Sequence, residues 1–206
     1  MGFQQIPKTI YSNVLDGKMS IRVQAGTPGA ITRINKKGAQ VHELRYDQLT
    51  GDLVGFSHRT GEFGIEFLID LEDEGKRYQI QVPWDSRYTK EFLKCCPKFN
   101  LNLPLSFRPY RFQDEQKADR FINGWVIYQN GNRVPSAYDP AILPRFEEVT
   151  FKGKKVWDDS KHMNFLWDRG YAWALKAGLF NTVAEASDRT EVDPSDAMDA
   201  IPPEYS

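Results

Sequence analysis

Arginine directly precedes tyrosine at Arg45-Tyr46, Arg77-Tyr78 and Arg87-Tyr88, and residues 107–112 read FRPYRF. Trp84 and the run WVIY at 125–128 add further rings. A flat aromatic face offers a stacking platform worth ~1–3 kcal/mol per nucleobase, and an adjacent cation neutralises phosphate. Single-stranded nucleic acid is the ligand that needs both. On a strand, successive side chains point to opposite faces, so only one member of each pair reaches a given surface. The competing reading packs the rings into a core and lets arginine extend outward from it. On the first reading the base-stacking candidates are Tyr46, Tyr78, Trp84, Tyr110 and Trp125. The phosphate-contact candidates are Lys36, Lys37, Arg45, Arg59 and Arg108.

Charge is distributed unevenly. Residues 184–206 hold seven acids against the single base Arg189, a balance of −6. The remaining 183 residues carry 26 Lys and Arg against 21 Asp and Glu, a balance of +5. A chain that is nearly neutral as a whole is therefore a basic body joined to an acidic, proline-dotted end, a pattern that points to a polyanion partner. An acidic arm of this kind competes intramolecularly for a basic groove, at an effective concentration near the millimolar range. Its tip, with Ile201, Pro202 and Tyr205, is the candidate partner-binding element.

Catalytic chemistry is hard to assemble from these residues. His42, His58 and His162 stand in separate contexts, with no GxSxG elbow and no partnered cysteine signature. No HExxH spacing, calcium-loop pattern or GxxxxGK[ST] frame occurs, and the only cysteines are the adjacent Cys95 and Cys96. The expectation is a protein with no catalytic residues, no metal and no cofactor. One route to catalysis stays open, a two-metal site built from Asp47, Asp52, Glu66 and Asp70 converging across strands. There is no apolar run of about 18 residues and no apolar core in the N-terminal MGFQQIPKTIYSN, so no membrane association and a reducing, cytoplasmic setting are expected.

The elements that would carry these residues are mainly strands. Period-two patterning recurs at KMSIRVQ (18–24), GAITRIN, AQVHELRYD, DLVGFSHR, IEFLIDL and KRYQIQVPW, with glycine-containing turns roughly every ten residues. SRYTKEFLKCC (86–96) switches to helical spacing, with Ser86 as its cap and Pro97 after its end. Strand patterning resumes at PLSFRPYRF (104–112) and at DRFINGWVIYQNGNRV (119–134), where Asn-Gly signals a hairpin turn. EEVTFKGKKVW (147–157) reads as a last extended piece. The segment from Trp157 to Gly178 reads as a helix capped by Asp158 or Asp159 and ended by Gly178. This order predicts a mainly β fold: an OB-like antiparallel β-barrel over 1–157 with one mid-chain helix, a C-terminal helix over 158–178, and a disordered acidic tail over 184–206. A generic β-sandwich is the alternative architecture.

Two resemblances agree with this reading. DAMDAIPPEYS resembles the acidic tip of bacterial single-stranded DNA-binding proteins, which ends in Ile/Leu-Pro-Phe; here Ile201-Pro202 match and Pro203-Glu204-Tyr205-Ser206 replace the final Phe. The body resembles the OB-fold single-stranded DNA-binding proteins of tailed bacteriophages, notably crAss-like ones. The similarity lies in GAITRINKKGAQVHELRYDQLTGDLVG, SRYTKEFLK and FKGKKVWDDSKHMNFL. It implies an OB fold, coating of single-stranded DNA without catalysis, a role in phage DNA replication or recombination, and replication or recombination proteins as partners of the tail. The rival class is a β-rich virion or assembly component whose rings are core.

Overall fold

The computed structural model describes residues 8–179 except 36, 62, 63, 116, 118 and 119. The expected tail, with Ile201, Pro202 and Tyr205, lies outside these residues, as does Lys36. Twelve strands and two α-helices are described, with two short 3-10 turns at Cys96–Lys98 and Pro140–Ile142. The strands are β1 (Ile10–Leu15), β2 (Lys18–Val23), β3 (Ile31–Ile34), β4 (Gln40–Tyr46), β5 (Leu49–Gly61), β6 (Gly64–Asp73), β7 (Lys76–Pro83), β8 (Leu105–Gln113), β9 (Phe121–Gln129), β10 (Asn132–Arg133), β11 (Glu147–Phe151) and β12 (Lys154–Asp158). Helix α1 (Arg87–Cys95) falls between β7 and β8, and α2 (Ser160–Ala177) follows β12. The fold is mainly β with one mid-chain and one C-terminal helix, as the pattern predicts.

Ten strands form one sheet in the order β10-β9-β8-β5-β6-β7-β1-β2-β4-β3, and β11 and β12 pair separately. The expected barrel is not closed. The free edge of β7 is taken by β1, which runs parallel to it (Ile10 opposite Tyr78, Asn13 opposite Gln81). The outer edge of β9 is taken by β10, so the sheet ends in two different strands, β10 and β3, rather than returning to itself. The nearest approach to closure is a seam without a ladder. The β1–β2 turn reaches β8, where a Cβ on Gly17 would lie 2.7 Å from the Arg111 backbone nitrogen. Only glycine fits that position, and its φ of +73° is one a side chain rarely adopts. Asp16 forms an ion pair with Arg111 across the same seam.

Local chemistry explains most element boundaries. Four turns, Asp16-Gly17, Glu74-Gly75, Asn130-Gly131 and Lys152-Gly153, have positive φ at both residues. That geometry matches the right-handed twist of hairpin strands. Ser86 caps α1, its side chain accepting from the Thr89 backbone N–H at 3.3 Å. Gly178, at φ +69°, ends α2 and lets the Leu179 N–H donate to the Ala174 carbonyl at 3.0 Å. The stretch read as a last extended piece is in fact the β11–β12 hairpin, folded back at Lys152-Gly153.

One face of the bent sheet carries the core. Phe56, Phe67, Ile69, Ile80 and Val82 meet Phe92 and Leu93 of α1 and Leu166 of α2, all buried. The Phe92 ring lies 5.1 Å from Phe56 and 5.3 Å from Phe67. Edge-on contacts of this kind add to the area buried. No helix among the described residues is long and apolar enough to cross a membrane.

Candidate nucleic-acid interface

The register between β8 and β9 sorts the FRPYRF run by face. Residues paired directly across two strands share a face. Phe107 with Ile127 and Pro109 with Trp125 therefore point one way, into the core. Ser106 with Tyr128, Arg108 with Val126, Tyr110 with Gly124 and Phe112 with Ile122 point the other way. The outward row reads Ser, Arg, Tyr, Phe on β8. Tyr110 and Phe112 lie nearly parallel, with ring centroids 5.5 Å apart, and Phe112 is 52% exposed. Gly124 gives the Tyr110 ring room, since a side chain there would run into the phenol. An aromatic ring over a cross-strand glycine is a known way to stabilise such a position.

Arg108 is held in place on this face. Its Nε donates to Gln48 Oε1 at 2.8 Å, and its guanidinium sits 4.7 Å from the Tyr128 ring centroid. Gln48 belongs to the two-residue connection between β4 and β5, and that connection brings the end of β4 to β8. Tyr46, the last residue of β4, is 44% exposed, and the next residue, Asp47, forms an ion pair with Lys18. The Lys18 ammonium beside it holds the Asp47 carboxyl below the usual carboxylate range.

A charged network runs from the seam into β2, β3 and β4. Glu43, almost wholly buried, accepts from Arg33 Nε at 3.0 Å and Nη2 at 2.8 Å, and its second oxygen is 3.7 Å from Arg45 Nη2. Arg45 Nη1 also donates to Asp16 Oδ2 at 3.4 Å, and Asp16 in turn pairs with Arg111. Arg22 stands directly opposite Glu43 on β2. Arg33, Arg45 and Arg111 are thus held in position by Glu43 and Asp16.

The residues singled out in the sequence divide accordingly. Arg45 is tied through Asp16 to Arg111 on β8, Arg108 is tied to Gln48 of the β4–β5 connection, and Tyr110 shares the face of Arg108, whereas Tyr46 shares the face of Met19 on β2, opposite to that of Arg45. Trp125 does not belong with them. It is 2% exposed, edge-on to Tyr88 and Phe107 at 5.1 Å each, and no base can reach it. Tyr78 faces Leu71 across the β6–β7 pair and packs half-buried against the core. Arg59 is neutralised by Glu66 at 2.6 Å. Trp84 joins a separate aromatic group, 5.1 Å from both His58 and Trp167. Lys37 is exposed in the β3–β4 turn, at the opposite end of β4 from Tyr46. Phe112, Tyr128, Arg111 and Lys18 join the seam without having been singled out. Parity could have found Phe112, which lies two residues beyond Tyr110 and so shares its face.

Three of the four acids that might have formed a metal site are otherwise engaged. Asp47 pairs with Lys18, Glu66 with Arg59, and Asp70 accepts from Gln79 at 2.8 Å. Among the described residues no group of three or more His, Cys, Asp or Glu side chains is placed to hold a metal ion. No family model, curated protein or solved structure matches the chain.

Proposed function

We propose that this protein binds single-stranded DNA, without chemical turnover, along the seam between the end of β4 and the outer face of β8–β9. The observation that carries the reading is the outward row Arg108, Tyr110, Phe112, with the Tyr128 ring under Arg108; the Arg45–Asp16–Arg111 group lies at the adjoining seam, Arg111 on the other face of β8. Such a row sets two stacked rings beside a fixed positive charge, a combination that suits a flexible strand of bases and phosphates. Strand order lends support. β5, β6, β7, α1, β8 and β9 run in the sequence strand-strand-strand-helix-strand-strand, with β5 paired to both β6 and β8. This is an OB-like order in an open sheet, with β1 to β4 added at one side. The proposal includes the role implied by the resemblance, coating of single strands in phage DNA replication or recombination. It also includes the acidic residues 184–206 as a competitor for the basic surface, with Ile201, Pro202 and Tyr205 offered to replication or recombination proteins.

Fluorescence anisotropy of a labelled dT oligonucleotide, titrated at two salt concentrations, tests this. Binding should weaken as salt rises, duplex of the same length should bind less tightly, and a chain lacking residues 184–206 should bind more tightly at low salt. No binding to single strands at low salt would contradict the proposal and leave the β-rich assembly component as the better reading.

A further inference from the structure

The β11–β12 hairpin stands apart from the rest of the molecule. Every residue of both strands is exposed except Asp158, which is half-buried at the base. The base is pinned. Phe146 lies 5.2 Å from the His162 ring and 5.7 Å from the Lys90 ammonium, while Lys161 of α2 donates to Glu147 Oε1 at 2.6 Å. Beyond that anchor the ribbon's own strands are its main contacts. An isolated two-stranded ribbon is marginal on its own in water, so burying its own rings does not account for its composition.

That composition is specific. Phe151 pairs with Lys154 on one face of the ribbon, and Trp157 lies on the other face with Lys155, two residues along the strand. Phe151 is 61% exposed and Trp157 63%. Each face therefore presents one ring with one lysine beside it. Lys152 forms the tip at φ +48°, a conformation usually left to Asn, Asp or Gly, so an ammonium is placed at the apex against the backbone's preference. Lys155 meets Glu148 at 2.5 Å, whereas no carboxylate among the described residues pairs with Lys152 or Lys154. A standard protein–protein interface buries about 800 Å² on each partner, and a ribbon five residues long, with Phe151, Val149 and Val156 on one face and Trp157 on the other, does not offer that.

We infer that the β11–β12 hairpin is a second single-strand contact, a wing whose rings and lysines engage bases and phosphates beyond those held at the seam. The inference rests on the proposed function above and adds to it a second site, so the bound strand must be long enough to reach both. Short strands, of roughly eight nucleotides, are held by the seam alone, and strands of roughly 30 nucleotides engage the wing as well.

The test compares labelled dT oligonucleotides of these two lengths with the full chain, with F151A/W157A, with K152Q/K154Q/K155Q, and with the conservative K152R/K154R/K155R. For the long oligonucleotide, the ring variant should bind at least about fivefold more weakly for each ring removed. The glutamine variant should reduce the slope of log affinity against log salt by about 2, at ~0.7 for each phosphate no longer neutralised, and the arginine variant should restore it. Binding of the short oligonucleotide and the thermal midpoint should stay at the wild-type values. If the wild type binds both lengths and the hairpin variants match it on both, the wing does not touch the strand, and the seam proposal stands alone. If the variants instead lose a self-association seen in sedimentation, with affinity for DNA unchanged, the hairpin joins copies of the chain and the inference fails. If the wild type binds neither oligonucleotide, the proposed function itself fails and takes the wing with it.

Discussion

On β8 the cations are arginines already held by neighbours, Arg108 on the outward face by Gln48 and the Tyr128 ring, Arg111 on the other face by Asp16. On the β11–β12 hairpin they are lysines around an exposed turn, two of them without a carboxylate partner among the described residues. The rings differ in the same way. Tyr110 is half-buried over Gly124 and stacked on Phe112, while Phe151 and Trp157 stand in solvent on opposite sides of a ribbon. A guanidinium fixed by hydrogen bonds loses little freedom when a phosphate arrives, and it presents a planar fork of donors. A lysine at a free turn gives up more freedom and acts as a point charge, so its contribution depends mostly on salt. The seam should therefore set where a strand binds, and the hairpin how tightly a long strand is held.

The largest expected effect separates rings that hold the fold from rings that meet solvent. Trp125→Ala should cost ~3–5 kcal/mol of stability, because the indole fills the space between Tyr88 and Phe107. Trp157→Ala, on the exposed ribbon, should stay within about 0.5 kcal/mol of wild type. Chemical denaturation of both variants checks the contrast, which breaks if the two losses are alike.

Next comes the charged network behind the seam. Replacing Glu43 by Gln leaves Arg33 and Arg45 without the buried carboxylate they share, and should cost about 3 kcal/mol. The loss should appear in denaturant midpoints, together with weaker single-strand binding as Arg45 loses its fixed position. A Glu43→Gln protein with wild-type stability and affinity would mean that the arginines need no such support.

The smallest effect comes from the core into which α1 packs. Burial, with the nearby Glu91 charge second, pushes the Cys95 thiol up from 9.0 to about 11, and burial pushes the Tyr138 phenol up to about 12. The fold thus favours the neutral thiol, while the unfolded chain ionises from about pH 9. This contribution to stability is complete below pH 9 and is lost as pH rises from about 9 to 11. Unfolding midpoints that stay level across that interval in wild type, or that fall equally in Cys95→Ala, would contradict it.

Strand patterning was legible in the sequence wherever a strand has one wet face. β2, β4, β6, β7, β8 and β9 fall where alternation places them, and Ser86, Gly178 and Asn130-Gly131 mark boundaries by their own chemistry. β1 was not singled out because its residues, Ile-Tyr-Ser-Asn-Val-Leu, place apolar and polar types in pairs, so no alternation shows. The hairpin at Lys152-Gly153 was missed because lysine is not a residue that signals positive φ. Parity also limits the site. In WVIY at 125–128, Trp125 and Ile127 share one face and Val126 and Tyr128 the other, and since both pairs are apolar the sequence cannot say which is inside. Barrel closure depends on which strand takes the free edge of β7, and pairing between segments about 70 residues apart leaves no local mark.

The most direct test of the seam as a single-strand site is the double variant R108A/Y110L, in which leucine keeps packing over Gly124 and removes the flat ring. Its affinity for a short dT oligonucleotide and its thermal midpoint should be measured beside those of the wild type. Removing one stacking ring at ~1–3 kcal/mol, together with the guanidinium that meets a phosphate, should weaken binding by roughly tenfold or more while the midpoint stays near that of the wild type. Unchanged affinity per folded molecule would contradict the assignment of this face to single-stranded DNA.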